Sequence, residues 1–186
     1  MSMDSPLWKI LGFFLAAVLL FLVPVMNMLE RQDDAAYTVV FTETNRFVDS
    51  ARDAGYITPN MYNEFVRRLN ATGCTFDIRM EHVQSLINPV YRQNGTVLEF
   101  TGEYEINRIS RGEDAILSVL FPDEPGPDVF DKARRYDMKA GDLLFVEVRN
   151  RGKTMATALR DMLLLSDTRT PTIFVRAGGL VRNEAD

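Results

Sequence analysis

The stretch GFFLAAVLLFLVPVMNMLERQDDAAY, residues 12–37, decides the fold, because an apolar block passes into charged sequence without a loop between them. Residues 10–28 form a run of 19 residues with no charged side chain. As a helix this run is roughly 28 Å long, close to the thickness of a bilayer's hydrocarbon core. Pro24 is compatible with such a helix, because the backbone groups it leaves unpaired can be satisfied locally. The sequence therefore predicts a transmembrane helix over residues 10–29, preceded by a short leader over residues 1–9.

Two other interpretations of the apolar block remain open. A secretory signal peptide has a shorter apolar region, about 7 to 15 residues, followed by a small-x-small cleavage site. The block ends in residues 23–28, VPVMNM, which offer no such site. A core helix of a soluble protein would show a polar face, whereas only Asn27 interrupts the apolar surface here. We therefore expect an uncleaved membrane anchor.

Few charges flank the predicted span. The positive-inside rule has only Lys9 to count before it and Arg31 immediately after it. The leader is short, and an uncleaved anchor commonly precedes a translocated domain in bacteria. We therefore expect a single-pass protein of the cell membrane, with residues 1–9 in the cytoplasm and an extracytoplasmic domain over residues 56–186.

An amphipathic juxtamembrane helix is predicted over residues 30–55. Its apolar positions recur at spacings of three and four residues, and they include Phe41, Phe47 and Val48, which we expect in the core. Arg46 and Asp49 fall on the opposite face. Residues 28–53 contain neither Gly nor Pro, so the span and this helix are expected to form one long helix. The alternative is two helices with a break at residues 32–35.

The rest of the chain predicts an α+β domain in which a small, mostly antiparallel sheet is covered by helices on one face. Helices are indicated after Thr58, which has the form of an N-cap, after a capping box at residues 110–113, and over residues 155–163. Alternating apolar positions and strand-forming residues predict strands over residues 74–82, 96–107, 143–149 and 172–176. Residues 122–127 are expected to form a loop, and Gly178 with Gly179 a turn.

Side chains that could carry chemistry are scarce. His82 is the single histidine, which excludes a metal site of several imidazoles, and it is expected to be a hydrogen-bonded core or edge residue. Cys74 is the single cysteine, so no intrachain disulfide can form, and a small buried hydrophobe is expected there. Asp123, Glu124 and Asp128 lack the spacing of a calcium-binding EF-hand. The sequence indicates no catalytic, cofactor-binding or metal site, and we do not expect an enzyme.

The charge balance argues against a nucleic-acid partner. The totals of 21 basic and 26 acidic residues fall to 20 and 25 once Lys9 and Asp4, which precede the span, are left out. Nucleic-acid binding favours a basic stripe, whereas this domain is mildly acidic. The pairs at residues 67–68 and 134–135, both Arg-Arg, are expected on solvated faces. No small-molecule ligand is identified by the sequence.

The chain begins with a very short leader and an apolar helix that continues into an amphipathic one. Three later stretches accompany this pattern: RFVDSARDAGYITPNMYNEFVRRLNATG at residues 46–73, YDMKAGDLLFVEVRN at 136–150 and IFVRAGGLVRNE at 173–184. In these features the chain resembles pilins and pseudopilins, in particular the TadE-like minor pilins of tight-adherence (Flp-type) systems. The resemblance implies a membrane-anchored structural or assembly component of a pilus-like or secretion apparatus, whose N-terminal helix packs against other subunits. A separate cytoplasmic ATPase would supply the energy.

One position departs from the pilin pattern. Type IV prepilins are cut after a glycine and usually carry a glutamate at the fifth residue beyond it. Gly12 followed by Phe13 mimics the cleavage junction, but the fifth residue is Ala17. No cleavage residue is therefore carried over from the family. A single-pass membrane protein that displays an extracytoplasmic binding or sensory domain remains the alternative function.

Overall fold

The computed structural model of the chain describes residues 6–94, 97–123, 128, 131–169 and 172–184. A long N-terminal helix, α1 (Pro6–Ala54), is followed by a small antiparallel sheet and shorter helices. The α+β fold class predicted from the sequence is confirmed.

Three shorter helices and six strands follow α1 among the described residues. The helices after α1 are α2 (Pro59–Asn70), α3 (Glu113–Leu120) and α4 (Met155–Leu164), with a 3-10 turn at Lys132–Arg134. The strands are β1 (Tyr56–Ile57), β2 (Phe76–Asn94), β3 (Val97–Arg111), β4 (Tyr136–Asp137), β5 (Leu143–Asn150) and β6 (Phe174–Leu180). The main sheet has the order β3-β2-β5-β6 with every neighbouring pair antiparallel, and β1 pairs with β4 in a separate ribbon.

Helix α1 is continuous through 49 residues, so the alternative of two helices with a break at residues 32–35 is wrong. Pro24 lies inside the helix without ending it. Residues 32–35, where the alternative placed a break, are also contacted from outside the helix, because the Thr154 hydroxyl donates a hydrogen bond of 2.6 Å to the Asp33 carboxylate. Residues 28–53, which contain neither Gly nor Pro, thus continue as one helix from the apolar half into the head.

The core of the head forms between the C-terminal half of α1 and one face of the sheet. Alternate residues of β5 are buried, namely Leu144, Val146 and Val148, as the two-residue period of a strand requires. Phe47 of α1 is 5% exposed, and its ring stacks on Phe65 of α2 with centroids 4.5 Å apart. The α1 residues in this core are Ala36, Val40, Phe47, Val48 and Ala51.

The burial predicted for Phe47 and Val48 is confirmed, whereas the prediction for Phe41 is wrong. Phe41 is 50% exposed and contacts Tyr37 one turn away, with ring centroids 6.3 Å apart. Its neighbour Val40 is fully buried. Phe41 is rotated by about 100° from Val40 around the helix axis, which places it at the edge of the buried stripe of α1.

Helix α3 is confirmed, but the capping box that was expected to start it is wrong. Ser110 lies within β3, where its hydroxyl donates a hydrogen bond of 2.6 Å to the Glu81 carboxylate. The residue at the N-cap position is Gly112, which offers no side-chain cap. Ser110 therefore forms a hydrogen bond across the sheet to β2 and does not cap α3.

The turn predicted at Gly178 and Gly179 is also wrong, because both residues lie inside β6. A Cβ atom on Gly178 would lie 2.3 Å from Cδ1 of Phe145, and one on Gly179 would lie 2.8 Å from Cζ of Arg52. The missing side chains thus leave room for Phe145 over one face of the strand and for Arg52 over the other.

Strand positions were predicted better than strand lengths. The strand expected over residues 74–82 is β2, which extends to Asn94, and the one expected over 96–107 is β3, which extends to Arg111. The strand expected over 172–176 is displaced to Phe174–Leu180. The strand at 143–149 and the helices after Thr58 and over 155–163 are confirmed within a residue or two. Most of the loop expected over 122–127 lies outside the described residues.

Candidate interaction surfaces

The single histidine lies in a buried hydrogen-bond network. His82 of β2 is 3% exposed; its Nδ1 lies 2.8 Å from the Tyr136 hydroxyl and its Nε2 lies 2.9 Å from Oδ2 of Asp142. The Asp142 carboxylate also accepts hydrogen bonds from the backbone N–H groups of Ser85, at 3.0 Å, and Lys139, at 2.9 Å. The expectation of a hydrogen-bonded core histidine is confirmed.

The protonation state of Asp142 is set by its place in this network. Burial alone would raise the pKa of Asp142, but the hydrogen bonds from the Ser85 and Lys139 backbones and from His82 bring that pKa below its ordinary value. A carboxylate that is held ionised in this way is an acceptor for its neighbours and not a proton donor. The network joins β2 to β4 and to the turn before β5.

Cys74 is half-buried, so the expectation of a buried residue is only partly met. Burial raises the pKa of its thiol, and the nearby carboxylate of Asp33 raises it further. The side chain is therefore a thiol at neutral pH and a weak nucleophile. Within the described residues, no group of three or more His, Cys, Asp or Glu side chains could hold a metal ion. Glu124, one member of the acidic loop considered above, lies outside those residues.

One arginine of each Arg-Arg pair is engaged in local ion pairs. Arg68 contacts the carboxylate of Glu43 on α1 at 3.1 Å and also that of Glu64. Arg135 contacts Asp137 at 2.7 Å, and its guanidinium lies 4.7 Å from the centroid of the Tyr56 ring. These contacts neutralise Arg68 and Arg135 within the head, so neither forms part of a basic stripe.

The main sheet extends into a two-stranded projection, which we call the arm. Strand β2 pairs with β5 only from Phe76 to Val83, and beyond Val83 it pairs with β3 alone. The arm comprises residues 84–94 of β2 and 97–109 of β3. At about 3.3 Å per residue, the 11 residues contributed by β2 span roughly 35 Å. The arm therefore reaches well beyond the core of the head.

One face of the arm is apolar and exposed. Ile87 lies opposite Ile106, and Tyr91 lies opposite Phe100 in the strand register. The rings of Tyr91 and Phe100 have centroids 5.9 Å apart, and those of Phe100 and Tyr104 are 5.3 Å apart. Between 45% and 67% of each side chain is exposed on this face, which consists of Ile87, Tyr91, Leu98, Phe100, Tyr104 and Ile106.

The other face of the arm is predominantly polar, although it also carries apolar residues such as the exposed Ile109. Asn88 lies opposite Glu105, and Arg92 lies opposite Glu99. The arm is thus amphipathic, yet no described residue packs over its apolar face. Contiguous exposed apolar patches on a folded protein mark contact sites for proteins or membranes.

The second exposed apolar surface is the N-terminal half of α1. Among the described residues, α1 is the one helix that is long and apolar enough to cross a membrane. Its most apolar 18-residue window has a mean hydropathy of 2.5, and none of that window is buried within the protein. The same helix therefore has an apolar half outside the head and a half that forms its core.

No protein-family model, curated protein or solved structure matches the chain. The function must therefore be argued from the chain's own surfaces.

The arm was not identified as a functional surface from the sequence, although its pattern is visible there. Leu98, Phe100, Tyr104 and Ile106 alternate with polar residues, which is typical of a strand with one buried face. The pattern does not reveal whether the apolar face is covered by the chain's own helices or left open. That distinction depends on where β5 ends its pairing with β2 and on what packs over the sheet, which are long-range properties.

Proposed function

We propose that this protein is a membrane-anchored structural or assembly component of a pilus-like or secretion apparatus in the cell envelope. The observation that carries the proposal is the continuity of α1 from an exposed apolar half into the core of the head. A helix built in this way places the head at a fixed height and orientation above the span. The resemblance to TadE-like pilins supports the same class of function.

The two halves of α1 have different tasks in this proposal. Residues 10–29 lie in the membrane, where their exposed side chains contact lipid and the helices of other subunits. Residues 1–9 lie in the cytoplasm, and the head lies on the extracytoplasmic side. The C-terminal half is locked to the head, because backbone N–H groups of Arg182 and Asn183 donate hydrogen bonds to the Arg52 carbonyl at 2.9 and 3.1 Å.

The apolar face of the arm is the contact surface for neighbouring subunits. Aromatic side chains are enriched at protein interfaces because they bury a large area at a low cost in conformational entropy. Tyr91, Phe100 and Tyr104 form such a cluster at one place on the arm. The arm extends from the head, so a partner can reach this face without opening the core.

Photocrosslinking in the native cell tests the proposal. A photoreactive residue replaces Tyr104 on the apolar face or, as a control, Glu105 on the polar face of the same strand. We expect the probe at position 104 to crosslink to other components of an envelope apparatus, identified by mass spectrometry, and the probe at 105 to give far less product. Absence of these adducts at position 104, with the protein folded in the membrane fraction, would contradict the proposal.

Labelling with a membrane-impermeant maleimide tests the orientation. The variant Glu105→Cys in a Cys74→Ser background carries a single exposed thiol on the face of the arm opposite the proposed contact surface. We expect it to be labelled in intact cells whose outer layers are permeable to the reagent. Labelling only after lysis would place the head in the cytoplasm and reverse the proposed topology.

The photocrosslinking experiment also distinguishes the alternative function. An adduct at position 104 with an external ligand alone would favour a displayed binding or sensory domain.

A further inference from the structure

The end of α4 exposes an apolar cluster that the core does not use. We define the α4 tip as residues 162–165, which are Met162, Leu163, Leu164 and Leu165. Their side chains are 74%, 44%, 69% and 95% exposed, respectively. In contrast, Ala156, Thr157 and Asp161 of the same helix are buried against the rest of the protein.

Contacts with α1 fix the position of α4 along the predicted span. The hydroxyl of Thr154, at the start of α4, donates its hydrogen bond to Asp33. Further along, the guanidinium of Arg160 pairs with Glu30. The contact points therefore move from residue 33 towards residue 30 of α1 as α4 proceeds.

Leu159 extends this path onto the apolar half of α1. It lines an apolar groove together with α1 side chains from Ala17 to Val25, namely Ala17, Val18, Phe21, Leu22 and Val25. All of these α1 residues lie within the predicted transmembrane segment. Helix α4 thus runs beside α1 from its charged juxtamembrane part to its membrane-spanning part.

The α4 tip lies beyond Arg160 in the direction of the bilayer. With a rise of about 1.5 Å per residue, residues 162–165 extend roughly 3 to 8 Å past the level of the Arg160 and Glu30 pair. Amphipathic helices at membrane surfaces bury their apolar side about 5 to 10 Å into the boundary between headgroups and acyl chains. The distance by which the tip extends towards the bilayer therefore overlaps the depth that interfacial helices reach.

The acidic group nearest the tip is satisfied within the protein. Asp161 pairs with Lys153 and accepts hydrogen bonds from the Ser166 hydroxyl at 2.8 Å and from the Thr168 backbone N–H at 2.9 Å. Its carboxylate therefore does not depend on water for partners. Just beyond the tip, the exposed carboxylate of Asp167 pairs with Lys153 at 2.8 Å and with Arg169 at 3.1 Å.

Leu165 is the most exposed of these side chains, and it occupies a backbone conformation that leucine rarely adopts. It forms the C-cap of α4 with φ of 51°, in the left-handed region where glycine is favoured. A glycine would suit this cap in water. The leucine instead places a large, exposed apolar side chain at the end of α4.

We propose that the α4 tip inserts into the lipid leaflet beside α1 and gives the head a second contact with the membrane. The inference rests on the proposed anchoring of α1. Lipid is the occupant because the tip is continuous with the exposed apolar surface of the span. In this arrangement α1 crosses the bilayer, and residues 162–165 enter only its outer part. The two contacts together prevent the head from tilting or rotating freely about the membrane normal.

Depth-dependent fluorescence quenching tests this inference on the full chain. In a Cys74→Ser background, Leu165→Cys is labelled with an environment-sensitive fluorophore, and the protein is reconstituted at one copy per lipid nanodisc. The same label at Leu20→Cys marks the span, and Met155→Cys marks the opposite end of α4. Met155 is 70% exposed, so it is matched to Leu165 in lying on the surface. Nitroxide-bearing lipids, with the nitroxide at shallow or deep positions of the acyl chain, serve as quenchers.

We expect the label at position 165 to show blue-shifted emission and strong quenching by shallow nitroxides. The label at position 20 should be quenched most by deep nitroxides, and the label at 155 should be quenched much less than that at 165. With one copy per disc, a second copy cannot cover the tip. Water-like, unquenched emission at 165 together with quenching at 20 would overturn this inference and leave the anchor intact. Absence of quenching at position 20 would overturn the anchor and, with it, this inference.

Discussion

Two phenylalanines on the same helix provide the most direct test of how α1 packs on the head. Phe47 is 5% exposed and stacks on Phe65, whereas Phe41 is 50% exposed and contacts only the ring of Tyr37 among the aromatic side chains described. The substitutions Phe47→Ala and Phe41→Ala remove identical atoms from positions six residues apart. Any difference between them therefore reports the environment of each ring.

The expected losses follow from burial. Truncation of a core phenylalanine to alanine costs about 3 to 5 kcal/mol, because both the transfer free energy and the packing around the ring are lost. At Phe41 half of the ring already lies in water, so the loss is about 1 kcal/mol, part of which alanine's higher helix propensity returns. For a chain of this size, each kcal/mol lowers the midpoint of thermal unfolding by about 2 to 4 °C. We therefore expect Phe47→Ala to lower that midpoint by roughly 6 to 20 °C and Phe41→Ala by less than about 4 °C.

The measurement is thermal unfolding of the full chain in detergent micelles, followed by near-ultraviolet circular dichroism. The single tryptophan, Trp8, lies at the membrane end of α1, so tryptophan fluorescence would not report the head. Similar midpoints for the two variants would refute the packing argument. In that case α1 would be a free stalk, and its amphipathic half would be available to partners.

Three further substitutions test separate features of the head. Asp142→Asn should lower the free energy of unfolding by about 3 kcal/mol, because it removes the charge from a buried network. The pKa of Asp142 is lowered in the folded protein, so its contribution to stability is complete above about pH 4 and is lost as pH falls through the folded pKa. In thermal melts from pH 6 to pH 2, the variant should therefore lose less stability than the parent. Gly178→Ala should cost about 1 to 3 kcal/mol because its Cβ would meet the Phe145 ring at 2.3 Å, whereas Gly152→Ala, with no atom within 4 Å, is the neutral control in urea titrations. Thr154→Ala should lower the free energy of unfolding by about 1 to 2 kcal/mol through loss of the N-cap of α4. Thr154→Ser keeps the hydroxyl and should retain the parent's stability in the same titration. Equal stability of the two variants would contradict the capping role.

The long helix could be predicted from the sequence because the forces that form it are local. Nineteen uncharged residues, the lack of Gly and Pro over residues 28–53, and apolar spacings of three and four residues favour a helix through the whole of α1, although the sequence alone left a break at residues 32–35 open. Helix α2 is equally local, since Thr58 accepts a hydrogen bond from the Met61 backbone N–H and Pro59 occupies the first turn. Phe41 was misplaced because a spacing of three or four residues defines a broad stripe, and the edge of that stripe depends on what packs against it.

The surfaces could not be predicted because they depend on contacts between distant residues. The partners of His82 are 54 and 60 residues away along the chain. The arm is exposed because β5 ends its pairing with β2 at Val83. The sequence pattern of β3 does not predict where that pairing ends. From the sequence, the α4 tip is predicted only as part of an amphipathic helix. Its position beside the apolar half of α1 depends on the contacts of Thr154 and Arg160 with α1 residues more than 100 positions earlier in the chain.

The continuity of α1 has a consequence for how partners would be selected if the span is embedded as we propose. From Glu30 to Ala54 the helix rises roughly 36 Å, and the head is packed along this length without a hinge. The height of the arm above the bilayer is then set by the fold, and the α4 tip would limit the tilt. A partner that contacts both the span and the apolar face of the arm must match that geometry, because the first contact raises the effective concentration for the second only when both sites can be reached together. Two individually weak contacts would thereby select a partner that is itself held in the membrane at the matching height.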